Sequence, residues 1–363
     1  MQKILLFIAS LFYFNSLFAK DEIKSWQGIH ETPLSRLEQQ FADPPVEFAN
    51  HVIWGWEGKM DKKTICNDLD SIKKKGFRAI IFEAGYKLPF KYLSEEWFKA
   101  IRTGVLEAKK RGMKVWIIDE GKYPSGFAGG KFSQERPDLR MQALVIGDTI
   151  QIKRGEVMTN HKIAPEIISA VAVSTSGAPN RTVAINNGEI SFNAGLDDWK
   201  ILLVKSDFRT AVTRAVNNPN GGKDATNSLC DYLNPVAVQQ FIDWTHEQYK
   251  KYLGKELGTT VLGFRGDEPD YAHLPWTPSI VQTFKDTKGY DPTPYLASFF
   301  TTSPTIQEQR VKADYWDVWS SLFATHFFKL QADWCAANGV AHITHLNKEH
   351  EMPACVKAEG DYF

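Results

Sequence analysis

The sequence predicts an α/β protein: a (β/α)8 barrel of the TIM type, C-terminally incomplete in this chain, with a β-rich insertion after the third strand. Three observations predict it. Strand and helix patterns alternate from His51 to Glu120, the period shortens to strand-like runs between about 141 and 216, and the alternation then resumes until the chain stops at Phe363.

The elements follow in order. Val52-Ile53-Trp54-Gly55-Trp56 reads as a strand. Asp61 is placed to cap a helix whose Ile65, Leu69 and Ile72 recur at helical spacing, with Lys73-Lys74-Lys75 in the last turn and Gly76 at the stop. Residues 77–82 form an apolar strand broken only by Arg78. Ser94 caps a second helix carrying Trp97, Ile101, Val105 and Ala108, and residues 113–118 are a third strand. Strand, helix, strand at this spacing implies parallel pairing through right-handed crossovers. In the insertion, Asn186-Asn187-Gly188 signals a hairpin. Asn234-Pro235 opens a helix, residues 259–264 are a fourth strand, a long helical stretch runs over about 306–337, and residues 340–345 are a fifth strand. An open doubly wound sheet is the other option, but no Gly-rich phosphate turn follows the first strand, where Trp54-Gly55-Trp56-Glu57-Gly58 stands instead. The expected division is 1–19 an export signal, 20–140 the first three βα units, 141–216 the insertion, and 217–363 the truncated continuation of the barrel.

Composition narrows the function classes. Lys plus Arg and Asp plus Glu number 43 each, so the formal charge is zero and no polyanion-binding surface is indicated; nucleic acid is not an expected partner. Met1-Gln2-Lys3, an apolar run from Ile4 to Phe14 and the small residue Ala19 read as a signal peptide for a periplasmic or extracellular destination. The run is too short for a good membrane span, so no membrane insertion is expected after cleavage. The four cysteines, Cys66, Cys230, Cys335 and Cys355, show no CxxC pairing and are too few for a disulfide scaffold. The 11 Trp supply flat faces of the kind that stack on sugar rings, although most are expected in the core.

Polar groups recur just past the strand ends: Glu83, then Asp119 and Glu120, then Asp267 and Glu268, then His345, Glu349, His350 and Glu351. Barrel active sites are assembled on that face. Glycosidic cleavage needs two carboxyl groups flanking the bond, one protonating the leaving oxygen and one activating water or attacking. Glu268 is the leading proton donor, because Pro269 biases it toward an extended backbone and Asp267 is a like charge that would raise its pKa. Alternation puts Asp267 and Glu268 on opposite faces of the strand. Glu351, then Glu349, is the in-chain partner carboxylate; the partner otherwise lies beyond Phe363. Trp54, Trp56, Tyr123 and Tyr232 are expected to bring at least two rings to the cleft, with Glu83, Asp119, Glu120, Asp231 and His345 as further substrate-binding residues.

At this point the chain resembles glycoside hydrolase family 106, the α-L-rhamnosidases. The resemblance spans roughly Phe41 to Phe363 and rests on Phe41-Ala42-Asp43-Pro44-Pro45, Trp54-Gly55-Trp56, the run from Asp119 to Gly130, Asp231-Tyr232-Leu233-Asn234-Pro235, Gly266-Asp267-Glu268-Pro269 and Glu359-Gly360-Asp361-Tyr362-Phe363. It implies an inverting barrel enzyme acting on an oligosaccharide or glycan, a glutamate acid that maps onto Glu268, and calcium; the residues themselves call for no cofactor. Where a Trp-Trp-Asn-like run is expected in the first strand, this chain has Trp54-Gly55-Trp56-Glu57, which leaves the sugar open. Two other readings stand beside it. His342, His345, Glu349, His350 and Glu351 could ligate zinc in a metal-dependent barrel hydrolase, although their spacing matches no zinc motif. The chain could also be a non-catalytic sugar-binding fragment.

Overall fold

The computed structural model describes residues 34–43, 50–121, 123–209, 213–214, 223–224, 228–271 and 273–346. The chain falls into two units, Met1–Asn50 and His51–Phe363. In the first, helix α1 spans Leu34–Ala42.

The second unit begins with strand β1 (His51–Trp56), helix α2 (Lys62–Lys74), β2 (Ala79–Ala84), α3 (Glu95–Lys110) and β3 (Lys114–Ile118). Both helices are capped as the sequence requires: Asp61 accepts from the Thr64 amide at 2.8 Å, and Ser94 from the Trp97 amide at 3.3 Å. Glu95 and Glu96 sit in the first turn of α3 and Lys109 and Lys110 in its last, each complementing the helix dipole. The helices bury Ile65, Leu69, Trp97, Ile101 and Val105 against Trp56, Ile80, Phe82, Val115 and Ile117 of the strands.

After β3, a short helix α4 (Lys131–Glu135) leads into the antiparallel region: β4 (Gln142–Ile152), β5 (Val157–Lys162), β6 (Ile167–Ser174), β7 (Arg181–Thr182), β8 (Ile185–Asn186), β9 (Glu189–Asn193), β10 (Trp199–Phe208) and the pair β11 (Thr213–Arg214) and β12 (Lys223–Asp224). Helices α5 (Pro235–Trp244) and α6 (His246–Leu253), strand β13 (Val261–Asp267), β14 (Pro275–Trp276), α7 (Ile280–Lys288), α8 (Ile306–Leu322), α9 (Lys329–Ala337) and β15 (Ala341–His345) complete the described elements. The long helical stretch expected over 306–337 is interrupted by one π-helical turn, Phe323–Phe328, between α8 and α9.

Five strands form one parallel sheet in the order β1-β2-β3-β13-β15. All four pairings are parallel, and the order never reverses. The second and fourth strands lie a little later than expected, at 79–84 and 261–267, because Gly76 and Gly258 are spent on the preceding turns. Glu83 and Asp267 therefore lie inside their strands rather than beyond them.

The second sheet runs β14-β4-β10-β6-β7, and β5-β9-β8 make a third. Alternation along the central strand β10 sorts its side chains. Leu202 and Val204 enter the core built with α5, α7 and α8, while Ile201 and Leu203 face Ile190 and Phe192 of the three-stranded sheet. The hairpin β8–β9 turns through Asn187 and Gly188, both with positive φ (50° and 76°), as the sequence signal requires.

Candidate functional site

The ends of neighbouring parallel strands collect the candidate groups. Asp267 pairs in register with His345 across β13 and β15, and Arg265 with Ile118 across β13 and β3. A Cβ built on Gly55 in β1 would sit 3.4 Å from Glu83 Oε2, so the β2 carboxylate lies against the first strand.

The sharpest constellation is at the end of β13. His345 Nδ1 is 3.4 Å from both Asp267 Oδ1 and Glu268 Oε1. The two carboxylates thus converge on one imidazole instead of pointing to opposite faces. Alternation fails here because Glu268 leaves the strand. Its φ is +39°, in the left-handed region, with its amide donating to the His345 carbonyl at 2.8 Å. The extended backbone expected from Pro269 is thereby corrected. Holding a non-glycine residue there costs on the order of 1–3 kcal/mol, and such strain clusters at functional sites. Asp267 is also not a bare like charge, because Arg265 pairs with it at 3.0 Å. Arg265 stood in the sequence as a lone cation in an otherwise apolar strand, a signal that pointed to this face.

Asp119 and Glu120 lie deeper. Asp119 is fully buried; its Oδ1 accepts from the Ser125 hydroxyl at 2.6 Å, and its Oδ2 has no hydrogen-bond partner. Burial pushes its carboxyl up to about 7, helped by the nearby Asp267 charge and opposed by Ser125 and Arg265. Glu120, equally buried, accepts from the amides of Gly121 at 2.7 Å, Gly129 at 3.1 Å and Ala128. Burial raises it to about 8 against the pull of those donors. Glu120 is thus the anchor of the 121–130 loop, which corrects its expected role in touching substrate.

Three more expected substrate contacts are core residues. Trp56 is 0% exposed and packs edge-on to Trp97 at 5.8 Å; Tyr232 is 2% exposed beside Phe327 at 4.2 Å; Asp231 is 3% exposed. A ring enclosed by protein has no face left for a sugar. Trp54 is half-buried and joins the Trp56 cluster at 5.4 Å, whereas Tyr123 is half-buried in the 119–130 loop. Burial raises the Asp231 carboxyl to about 7. Glu349, His350, Glu351 and Cys355 lie outside the described residues, as do the signal segment 1–19 and the final motif 359–363. Cys66, Cys230 and Cys335 are free thiols.

Among the described residues, no three His, Cys, Asp or Glu side chains are grouped to hold a metal. No chemical step is therefore assigned to a metal. No described helix is long and apolar enough to cross a membrane.

The buried carboxyls make stability depend on pH. Asp119, with a folded pKa of about 7 against an ordinary 3.8, binds its proton more tightly in the native state, so its contribution is full below about pH 4 and is lost as pH rises through 7. Asp231 and Glu120 share that sign. His246 and His342, lowered by burial from 6.5 to about 3 and about 4, act oppositely, with a contribution lost as pH falls below 6.5. Above pH 6.5 only the carboxyl effect is left. The urea midpoint should therefore fall between pH 6.5 and about 8.5, and Asp119→Asn should shrink that fall; an equal fall in the variant would mean that Asp119 is ionised in the native state throughout.

The family model described as alpha-L-rhamnosidase, Glyco_hydro_106, matches residues 161–358, and the chain belongs to glycoside hydrolase family 106, a family of glycosidases. The fold is shared with the rhamnosidase of Novosphingobium sp. PP1Y, at a TM-score of 0.62 and 15% identity, covering 87% of this chain and 47% of that one. A protein of Formosa agariphila (strain DSM 15362 / KCTC 12365 / LMG 23005 / KMM 3901 / M-2Alg 35-1), provisionally named beta-glucuronidase, is 23% identical over 363 residues, covering 85% of this chain. The chain spans 30% of that protein's length.

Proposed function

We propose that the protein releases terminal L-rhamnose from an oligosaccharide or glycan, with Glu268 donating the proton to the leaving oxygen. The observation that carries this reading is the convergence of Asp267 and Glu268 on His345 at a strained strand end. The parallel sheet is read as part of an eight-stranded barrel, because its strands follow chain order without reversal. Glu351 or Glu349 is the in-chain base, and a carboxylate outside these residues is the alternative. Inversion would set the acid and base about 6.5–9.5 Å apart, retention about 5–5.5 Å. Residues 1–19 are read as an export signal, and calcium as a family property with no ligands assigned.

In this mechanism Glu268 protonates the glycosidic oxygen as the bond breaks, and the partner carboxylate takes a proton from the attacking water. His345, within 3.4 Å of both carboxylates, orients them. A neutral deoxy-sugar suits the site better than a uronic acid. Arg265 is engaged by Asp267, and a sugar carboxylate near this strand end would meet the like charges of Asp267 and Glu268. The test is a panel of aryl glycosides offered to the full-length protein. Release from the α-L-rhamnoside is expected; release from the β-glucuronide alone would overturn the sugar while keeping the reaction class.

A further inference from the structure

The run Tyr123-Pro124-Ser125-Gly126 contains a serine that the reaction does not use directly. Ser125 is 0% exposed, and its polar atoms are committed to the strand end. Its hydroxyl donates to Asp119 Oδ1 at 2.6 Å and accepts from the Asp267 amide at 2.7 Å. Its own amide donates to the Asp267 carbonyl at 2.9 Å. Its carbonyl accepts from the Tyr232 hydroxyl. Tyr232 is wedged in turn against Phe323 and Phe327 of the π-helical turn, at 5.5 and 4.2 Å. Gly126 permits that approach, since a Cβ there would lie 2.5 Å from the Tyr232 ring.

Ser125 therefore grips both backbone groups of Asp267, and the next amide, that of Glu268, is held by His345. With three consecutive backbone groups fixed from outside, the peptide plane that leads into Glu268 is set, and the residue departs from it with a left-handed φ of +39°. We propose that Ser125 is the positioning residue for Glu268, setting the direction of the acid through the Asp267 backbone and never touching substrate. The proposal rests on the reading of Glu268 as the proton donor. An acid displaced by about 1 Å loses on the order of 10²-fold, because proton transfer needs a near-attack geometry.

The experiment compares Ser125→Ala, Glu268→Gln and the double variant in the full-length protein, on an alkyl rhamnoside and on a nitrophenyl rhamnoside. The alkyl leaving group needs full protonation and the nitrophenolate little. Ser125→Ala should lower kcat by about 10–10²-fold on the alkyl substrate and much less on the nitrophenyl one. In the Glu268→Gln background the same change should have almost no further effect, because the residue it positions is already gone. Tyr232→Phe removes one hydroxyl and keeps the ring packing, so it should show the same selectivity more weakly even where Ser125→Ala folds poorly. If Glu268→Gln is selective for the alkyl substrate but Ser125→Ala and Tyr232→Phe lower both substrates equally, or add fully to Glu268→Gln, the positioning role is wrong and Glu268 remains the acid. If Glu268→Gln itself lowers both substrates equally, the acid assignment and the role of Ser125 fall together.

Discussion

Glu268→Gln should reduce kcat/KM on a rhamnoside with a poor leaving group by about 10²–10⁴-fold, the usual worth of a positioned general acid. The amide keeps the shape of the side chain and its hydrogen-bonding reach toward His345 but has no acidic proton to give. The loss on a nitrophenyl substrate should be far smaller, since that phenolate leaves unaided. Asp267→Asn is the informative companion. It would weaken the Arg265 pair and the approach to His345, yet it leaves the Asp267 backbone bonds to Ser125 in place. A loss from Asp267→Asn as large and as leaving-group-dependent as that of Glu268→Gln would transfer the acid role to Asp267.

Glu120→Ala should be the most damaging change to stability among the candidate residues. The buried side chain accepts from three amides, of Gly121, Ala128 and Gly129. Removing it leaves two buried donors and one part-buried donor without an acceptor, at roughly 1–3 kcal/mol for each buried one, so a loss of about 2–6 kcal/mol is expected. That is a large share of the ~5–15 kcal/mol that holds a typical domain. The urea midpoint reports it directly. A drop under about 1 kcal/mol would mean that water reaches those amides and that Glu120 is not the anchor described. Because the same loop carries Ser125, activity should fall with stability in this variant, whereas Ser125→Ala separates the two.

Much of the fold is legible in the amino-acid sequence. The strands at 51–56, 114–118 and 341–345 were marked by apolar runs between turn residues, and the helices by Asp61, Ser94 and Asn234 at their starts. The acidic strand ends were readable because a charged residue closing an apolar run stands out. What failed was direction. Trp54-Gly55-Trp56 shows that its two indoles share one side of β1 but not that this side meets the helices; only Phe82 and Trp97 packed against Trp56 show that. Tyr232 failed likewise, because an aromatic beside an acid reads the same in a cleft and under a helix. At Glu268 the local rule for a residue before proline does not hold, and the peptide leading into it is held by bonds to Ser125 and His345, one of them reaching across 142 positions of sequence. No local pattern carries that information.

The order of the parallel sheet bears on how the chain is made. β3 ends at Ile118, and its neighbour β13 begins at Val261, with the whole antiparallel region between them. During synthesis, at about 5–20 residues per second, the open edge of β3 waits on the order of ten seconds for its partner. An unpaired apolar edge is a template for pairing with other chains. Lowering the temperature or slowing initiation during production should therefore raise the soluble yield by sparing the nascent edge from its neighbours, with no change in the finished molecule.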